Sequence, residues 1–368
     1  MKLKSKRLIR IFGLPSHATI DRTSGVDYCR VIQPLSFLNG YEDDDVKFEV
    51  DVWRIDKPQE VSWLKVAQKY DIVFLNYIAN AWGFAAMGAM ARHYKRKIIM
   101  DTDDDLHSLQ QDNPAYAVYK KGGDGIRDLT AIYNEVDYLT TTNSHLKNVL
   151  LSHTYKRPEK IKVLPNYIDL RLYKHLSPFK NTLNIQLFHH GSTTHFQDLV
   201  EEEFMQGVDM IFKDYPNATF KTVGAFLPKY KMRWGQRYSN AYGDTDIYKW
   251  IKTKFPVFMD ESDICVTPLQ DNVYTRSKSA IKFLENSSAK KPGVYQGSRQ
   301  YEEVIKEGEN GFLASTAEEW YQKIKKLIDN PDLRESIGEE ALKTVRKDWT
   351  IQKNVYRYAD FFKEIMGY

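Results

Sequence analysis

Short apolar runs alternate along this chain with stretches in which apolar side chains return every three or four positions, the rhythm of strands followed by amphipathic helices. Residues 8–13 (LIRIFG) form the first run and predict a buried strand. A polar loop with a late glycine, Gly25, follows; from Val26 a stripe of Tyr28, Val31, Ile32, Leu35 and Leu38 predicts a helix. The pairing repeats, with strands at 46–52, 71–76, 97–100, 138–141 and 161–164 and helices at 60–68, 79–94, 124–133 and 144–151. Residues 167–180 lose periodicity and read as a linker. The pattern then restarts, with strands at 185–190, 218–223, 264–267 and 292–295, a turn and short strand at 308–313, and helices at 317–329 and 332–347. The amphipathic stretch 350–366 predicts a closing helix.

Strands alternating with helices at this spacing predict parallel sheets. Two such series predict an α/β chain of two Rossmann-like, doubly wound domains, 1–170 and 171–349. In sheets of this kind ligands bind outside the carboxyl ends of the strands. Polar loops follow strands at 23–25, 101–107, 191–195 and 275–278, so they are expected to gather at one crevice between the domains.

A length of 368 residues agrees with two domains. No apolar run approaches the ~18 residues of a membrane span. The basic start MKLKSKRLIRIFGL is too charged for a signal peptide, and two distant cysteines, Cys29 and Cys265, fit a reducing cytoplasm. A net charge of +4 tolerates an anionic partner without demanding nucleic acid. The stretch 228–250 (PKYKMRWGQRYSNAYGDTDIYKW) interleaves aromatics with cations, which suits nucleic acid or a polar acceptor, or equally a solvated loop.

The strongest local candidate for chemistry is 272–285 (NVYTRSKSAIKFLE), a polar loop after a strand that turns helical from Ser279. Free backbone N–H groups and the positive end of a helix dipole favour phosphate at such a place. Arg276, Lys278 and Ser279 sit in or next to the loop; Lys278, Lys282 and Glu285 share a helix face, Glu285 reaching sugar hydroxyls rather than the phosphate. A surface helix with a Lys/Glu face fits the same pattern. In the other loops Gly25, Gly191, Ser192, Thr194 and His195 are candidate ligand contacts, with Asp198 three residues from His195 on one face. His107, His189 and His190 are weaker candidates. Asp101, Asp103 and Asp104 admit three roles: acceptor or sugar binding with a general base, helix capping, or a divalent metal site.

Taken in order, several segments resemble retaining GT-B glycosyltransferases, the nucleotide-sugar-using group that includes mannosyl- and glucosyltransferases. SGVDYCRVIQPL resembles the glycine loop and first helix, KVLPNYIDLRLY the interdomain segment with Tyr167 where glycine is usual, DESDICVTPL the strand before the donor site, and ENGFLASTAEEW the turn and helix after it. The likeness covers most of the chain and is strongest over 263–328. Of two glutamates eight apart in the common donor pattern, Glu285 matches the second and Ser277 stands at the first. The usual arginine and lysine of the second domain give way to GSTTHFQD. These departures are similar to a subgroup frequent among bacteriophage-encoded enzymes, with D-x-D-D, G-S-x-T-H-x-x-D and K-S-x-x-K-x-x-E motifs.

The resemblance implies a GT-B fold whose closing helix, 350–368, crosses back to the first domain. It implies transfer, with retention, of a sugar from a UDP- or GDP-sugar to an acceptor hydroxyl. Asp101, Asp103, Asp104 and Lys278 would be catalytic. Lys278, Lys282, Arg276 and Ser279 would hold the diphosphate, Glu285 the ribose, and Asp103, His107 and Asp198 the acceptor or sugar. No obligatory metal is expected, although Mg²⁺ or Mn²⁺ would be compatible. The acceptor would be a glycan, a lipid-linked glycan or a hydroxymethylated pyrimidine in DNA. A sugar-nucleotide-binding protein that has lost catalysis is the rival reading, hinted at by Ser277.

Overall fold

The computed structural model describes residues 6–15, 24–53, 61–76, 81–173, 184–191, 196–224, 226–241, 247–253 and 255–368. They form two six-stranded sheets in which every strand pair is parallel. The first contains β1 (Arg7–Leu14), β2 (Val46–Val52), β3 (Ile72–Asn76), β4 (Lys97–Thr102), β5 (Tyr138–Thr141) and β6 (Ile161–Val163), in the order β2-β1-β3-β4-β5-β6. The second contains β7 (Gln186–Gly191), β8 (Thr219–Gly224), β9 (Tyr238–Ala241), β10 (Ile264–Thr267), β11 (Gly293–Gln296) and β12 (Phe312–Ala314), in the order β12-β11-β10-β7-β8-β9. Central strands are covered on both faces, which explains their unbroken apolar runs: all five residues of β3 and all four of β10 are buried. The edge strand β2 instead alternates buried and exposed residues over its first four positions.

The strand order reverses between β1 and β3 in the first sheet and between β7 and β10 in the second. At such switch points the loops leave in opposite directions and open a crevice at the carboxyl ends. The closing helix Ile351–Met366 packs on the first sheet: the Phe362 ring meets Phe74 edge-on at 5.8 Å, with Phe48 at 6.4 Å. Each such fully buried phenylalanine contributes about 1.5–3 kcal/mol. The crossing is pinned where Ile168 N donates to Trp349 O at 2.9 Å and Ile351 N donates to Ile168 O at 3.0 Å. No helix among the described residues is long and apolar enough to cross a membrane.

The stretch 228–250 departs from the loop expectation. It begins with a helix, Pro228–Trp234, and continues into β9. Tyr230, Trp234 and Tyr238 are core residues, 0%, 7% and 2% exposed. The cation Arg233 pairs with Glu202 and Asp209. Tyr230, Trp234 and Tyr238 pack inside while Lys229 and Arg233 are paired with acids, so the interleaved pattern here belongs to the core; residues 242–246 lie outside the described residues.

Candidate active site

A cleft of about 430 Å³ lies where the carboxyl ends of the two sheets face each other. Gly191 at the end of β7, Gly224 at the end of β8 and residues 267–269 at the end of β10 and just beyond form one wall; Ser24, Gly25, Cys29, Asp103, Asp104 and Asn166 form the opposite one. Gly224 has φ +99, and a Cβ there would stand 2.1 Å from Gly191 O. Only glycine allows these two strand ends to approach and leave the floor open. At the apolar end stand Val223, Trp250, Ile251 and Phe255, and the Trp250 indole N–H has no hydrogen-bond partner.

The wall from the first sheet begins with a short helix, Gly25–Asp27, opened by a capping box in which Asp27 N donates to Ser24 Oγ at 3.0 Å. The expected helix then widens into a π turn, Tyr28–Ile32, before continuing as Gln33–Leu38. Pro34 has no N–H to give to the carbonyl of Arg30, and just before it Gln33 N bonds back to Tyr28 O instead. The turn sets the Arg30 guanidinium against Asp101, with Nε to Oδ2 at 2.9 Å and Nη2 to Oδ1 at 2.7 Å. Thr140 Oγ1 also donates to Asp101, at 2.6 Å, and both members of the ion pair have 0% side-chain exposure. Asp101 was expected among the catalytic acids. Sealed behind the wall with its oxygens occupied, it ties the π turn, β4 and β5 together and does not line the cleft.

Asp103 and Asp104, one turn further on, do line it. Asp103 is half-buried, but its Oδ1 is shut off from solvent without a hydrogen bond. Burial, reinforced by the neighbouring Asp104, pushes its carboxyl up to about 8 against the pull of Arg30. Asp104 is occupied: Tyr274 OH donates to it at 2.7 Å and Lys278 Nζ at 3.2 Å.

Lys278 and Tyr274 come from the wall of the second sheet. After β10 the chain makes a 3-10 turn, Thr275–Ser277, and the helix starts at Ile281 behind Ala280, two residues later than the sequence predicts. Tyr274 packs into the hydrophobic cluster of the first sheet, which carries the loop across the cleft. Asn143 Nδ2 donates to Ser277 O at 2.8 Å, and Asn166 Nδ2 to Ser279 Oγ at 2.8 Å. Burial alone would push the Lys278 ammonium down, but Asp104 and Tyr274 hold it well above its ordinary value, so it stays charged. Deeper in, Lys282 Nζ lies 3.2 Å from His190 Nδ1 and 3.5 Å from Glu285 Oε2. Glu285 Oε2 is buried without a hydrogen bond, and burial pushes its carboxyl up against Lys282. His190 Nε2 contacts Asn286 Oδ1 at 3.3 Å.

Other expected contacts fall elsewhere. Arg276 points away and clasps Asp271 through two hydrogen bonds, at 2.8 and 2.9 Å, because that exposed carboxylate is the nearer anion. His107 lies off the cleft, its Nε2 2.9 Å from Thr130 Oγ1 and its ring stacked 3.9 Å from that of His153; burial, with His153 beside it, lowers it to about 4. Asp198 accepts from Gln270 N at 3.0 Å and lines a neighbouring groove instead. Ser192, Thr194 and His195 lie outside the described residues. Among the described residues no group of three His, Cys, Asp or Glu side chains is placed to hold a metal. Sequence reasoning missed Arg30, Asn166 and Tyr274. An arginine inside the apolar stripe from Val26 to Leu38 was the one visible signal; Asn166 and Tyr274 matter only through contacts across the two sheets.

Residues 204–360 match the family described as Glycosyl transferase-like. A stretch of 63 residues, 17% of this chain, is 35% identical to the trehalose synthase of Pyrococcus horikoshii and covers 15% of it. The matched stretches span about a quarter or less of the curated relatives' length. Among solved structures, Anabaena Alr3699/HepE in complex with UDP and glucose superposes with a TM-score of 0.66 at 14% identity, covering 96% of this chain and 99% of that one. Sucrose-phosphate synthase from Thermosynechococcus elongatus gives 0.61 at 11% identity, covering 98% and 99%. The two parallel sheets with their flanking helices are the GT-B fold.

Proposed function

We propose that this chain is a glycosyltransferase that moves a sugar from a nucleotide-diphosphate sugar to an acceptor hydroxyl, with retention. The reading is supported by the glycosyl transferase-like match over 204–360 and by a structural neighbour solved with UDP and glucose. The observation that carries it is Lys278: a half-buried, charged ammonium on the donor-side wall, 3.2 Å from an acid of the opposite wall. We divide the chain into an acceptor-side unit, 1–170 with 350–368, and a donor-side unit, 171–349, working in the cytoplasm.

The diphosphate sits at the start of the helix Ile281–Ser288, where Ser279, Ile281 and Lys282 line the cleft. Unbonded N–H groups and the helix dipole meet it there. Lys278 exchanges Asp104 for the β-phosphate and balances the charge that grows as the nucleotide leaves. Glu285 accepts hydrogen bonds from the ribose, and the base rests against Val223, Trp250 and Phe255. Asp103, facing the same space from the other unit, accepts from the attacking hydroxyl. Ser277 takes no part: it is 0% exposed and off the cleft wall.

The test is release of nucleotide from UDP-glucose and GDP-mannose. Lys278→Ala should lower turnover by about 100-fold or more, the usual weight of one preorganised charge at a developing anion. Wild-type turnover in a folded Lys278→Ala protein would remove the assignment.

A further inference from the structure

We propose that a groove beside the cleft is a subsite for an uncharged, polyhydroxylated acceptor; this rests on the donor reading of the cleft. The groove is a depression of about 20 Å³, walled by the amides of Gln110, Asn113, Gln197, Gln270 and Asn272 and the carboxylates of Asp112 and Asp198. Among the described residues no lysine, arginine or histidine lines it. It is built from both units: residues 110–114 follow β4 of the first sheet, while Gln197, Asp198 and Gln270 follow strands of the second.

The walls are held in place. Asp198, 4% exposed, accepts from Gln270 N at 3.0 Å, and Asn113 Oδ1 accepts from Ala115 N at 2.9 Å, leaving the Asn113 amide N–H groups as donors. Tyr274 is the partition. Its ring lines the groove, while its hydroxyl donates to Asp104 and accepts from Lys278 on the cleft side. A molecule seated in the groove therefore lies one aromatic ring away from the ammonium that receives the leaving phosphate.

Sugar hydroxyls donate and accept at once, and planar amides do the same, while carboxylates take the donors of neighbouring hydroxyls. A space of this size admits about one or two water-sized groups, the scale of a hydroxyl or hydroxymethyl arm at a sugar's edge. DNA requires the opposite lining, because phosphates are held by lysine and arginine. Two carboxylates and five amides repel or ignore a polyanion. The groove therefore favours a neutral glycan over a hydroxymethylated base in DNA.

Saturation-transfer NMR with methyl α-D-glucoside and with maltose, on wild type, Gln197→Ala and Asp112→Ala, tests this, with UDP titrated in parallel. Wild type should bind at least one of the sugars, and each variant should lose about five- to tenfold in affinity, the worth of one or two hydrogen bonds, with UDP affinity unchanged. The proposal is overturned if neither sugar binds, if the variants bind as wild type does, or if a duplex carrying 5-hydroxymethyluracil binds in place of the sugars and weakens steeply with salt. Sugar binding with no UDP binding would leave the groove standing and refute the donor reading of the cleft.

Discussion

Asp101→Ala separates a structural acid from a catalytic one. Asp101 accepts two hydrogen bonds from Arg30 and one from Thr140, and the Arg30 side chain is 0% exposed. Removing the carboxylate leaves a buried guanidinium whose remaining hydrogen bond is to Asn166 Oδ1 at 2.9 Å. Breaking a buried pair from one side costs about 3–5 kcal/mol, because the surviving charge keeps its desolvation penalty and loses its counter-charge. For a unit of this size that lowers the melting temperature by roughly 10 °C. Removing both charges is different: Arg30→Met with Asp101→Leu should recover most of the loss, since apolar replacements of a buried pair are often neutral or better. Thermal unfolding followed by circular dichroism reads the stability, and UDP-glucose turnover well below the transition reads the activity. A variant Asp101→Ala that melts within about 2 °C of wild type yet loses turnover would refute the reasoning and return Asp101 to the reacting groups.

Asp103 carries a pH signature. Its folded-state pKa is raised, so between the ordinary carboxylate value of 3.8 and about 8 the folded chain holds a proton that the unfolded chain has released, and rising pH through that window costs stability. Turnover should climb through about pH 8 as the carboxylate forms, and Asp103→Asn should lose that limb along with about 100-fold in rate; a variant that keeps the limb refutes the role. His107 works in the opposite direction. Its folded value of about 4 lies below the ordinary 6.5, so its stabilising contribution is present above 6.5 and is lost as pH falls toward 4. His107→Gln should flatten the acid side of the stability curve by about 1–2 kcal/mol after allowing for partial exposure, and an unchanged acid limb in urea titrations would count against it. Because Lys278 and Lys282 bring positive charge to the diphosphate, turnover should persist in EDTA; loss that Mg²⁺ or Mn²⁺ restores would overturn that division of labour.

What the sequence made legible follows from how local each signal is. Apolar runs and 3.6-residue stripes need no knowledge of the partner strand, and the strand series of both sheets can be read from them, apart from β9. The loop-and-helix form of 272–285 was legible for the same reason: strand, polar loop and helix are contiguous. Tertiary pairing was not legible. Whether Asp101 faces the cleft or Arg30 depends on a π turn set ahead of Pro34, and whether Arg276 turns in or out depends on the nearer acid, Asp271. The 228–250 stretch misled because its cations mask a core pattern; Tyr230 and Trp234 stand four apart on one helix face, and both are buried.

Ser277 gave the rival reading, a binder that has lost catalysis, its one foothold. That inference assumes that chemistry sits where the common glutamate would. In this chain the position is fully enclosed, and its backbone carbonyl is tied to Asn143. Charge is placed one residue later, on Lys278, and it is already neutralised by Asp104 from the facing unit. The Lys278 ammonium is thus paired, and on the proposed reading an entering phosphate would exchange one anion partner for another rather than desolvate a free cation. The exchange also releases Asp104, which Tyr274 OH still holds, beside Asp103 with its orphaned oxygen. On the proposed donor reading, donor arrival on one wall would change the electrostatics of the two acids on the other, a coupling that sugar transfer would use.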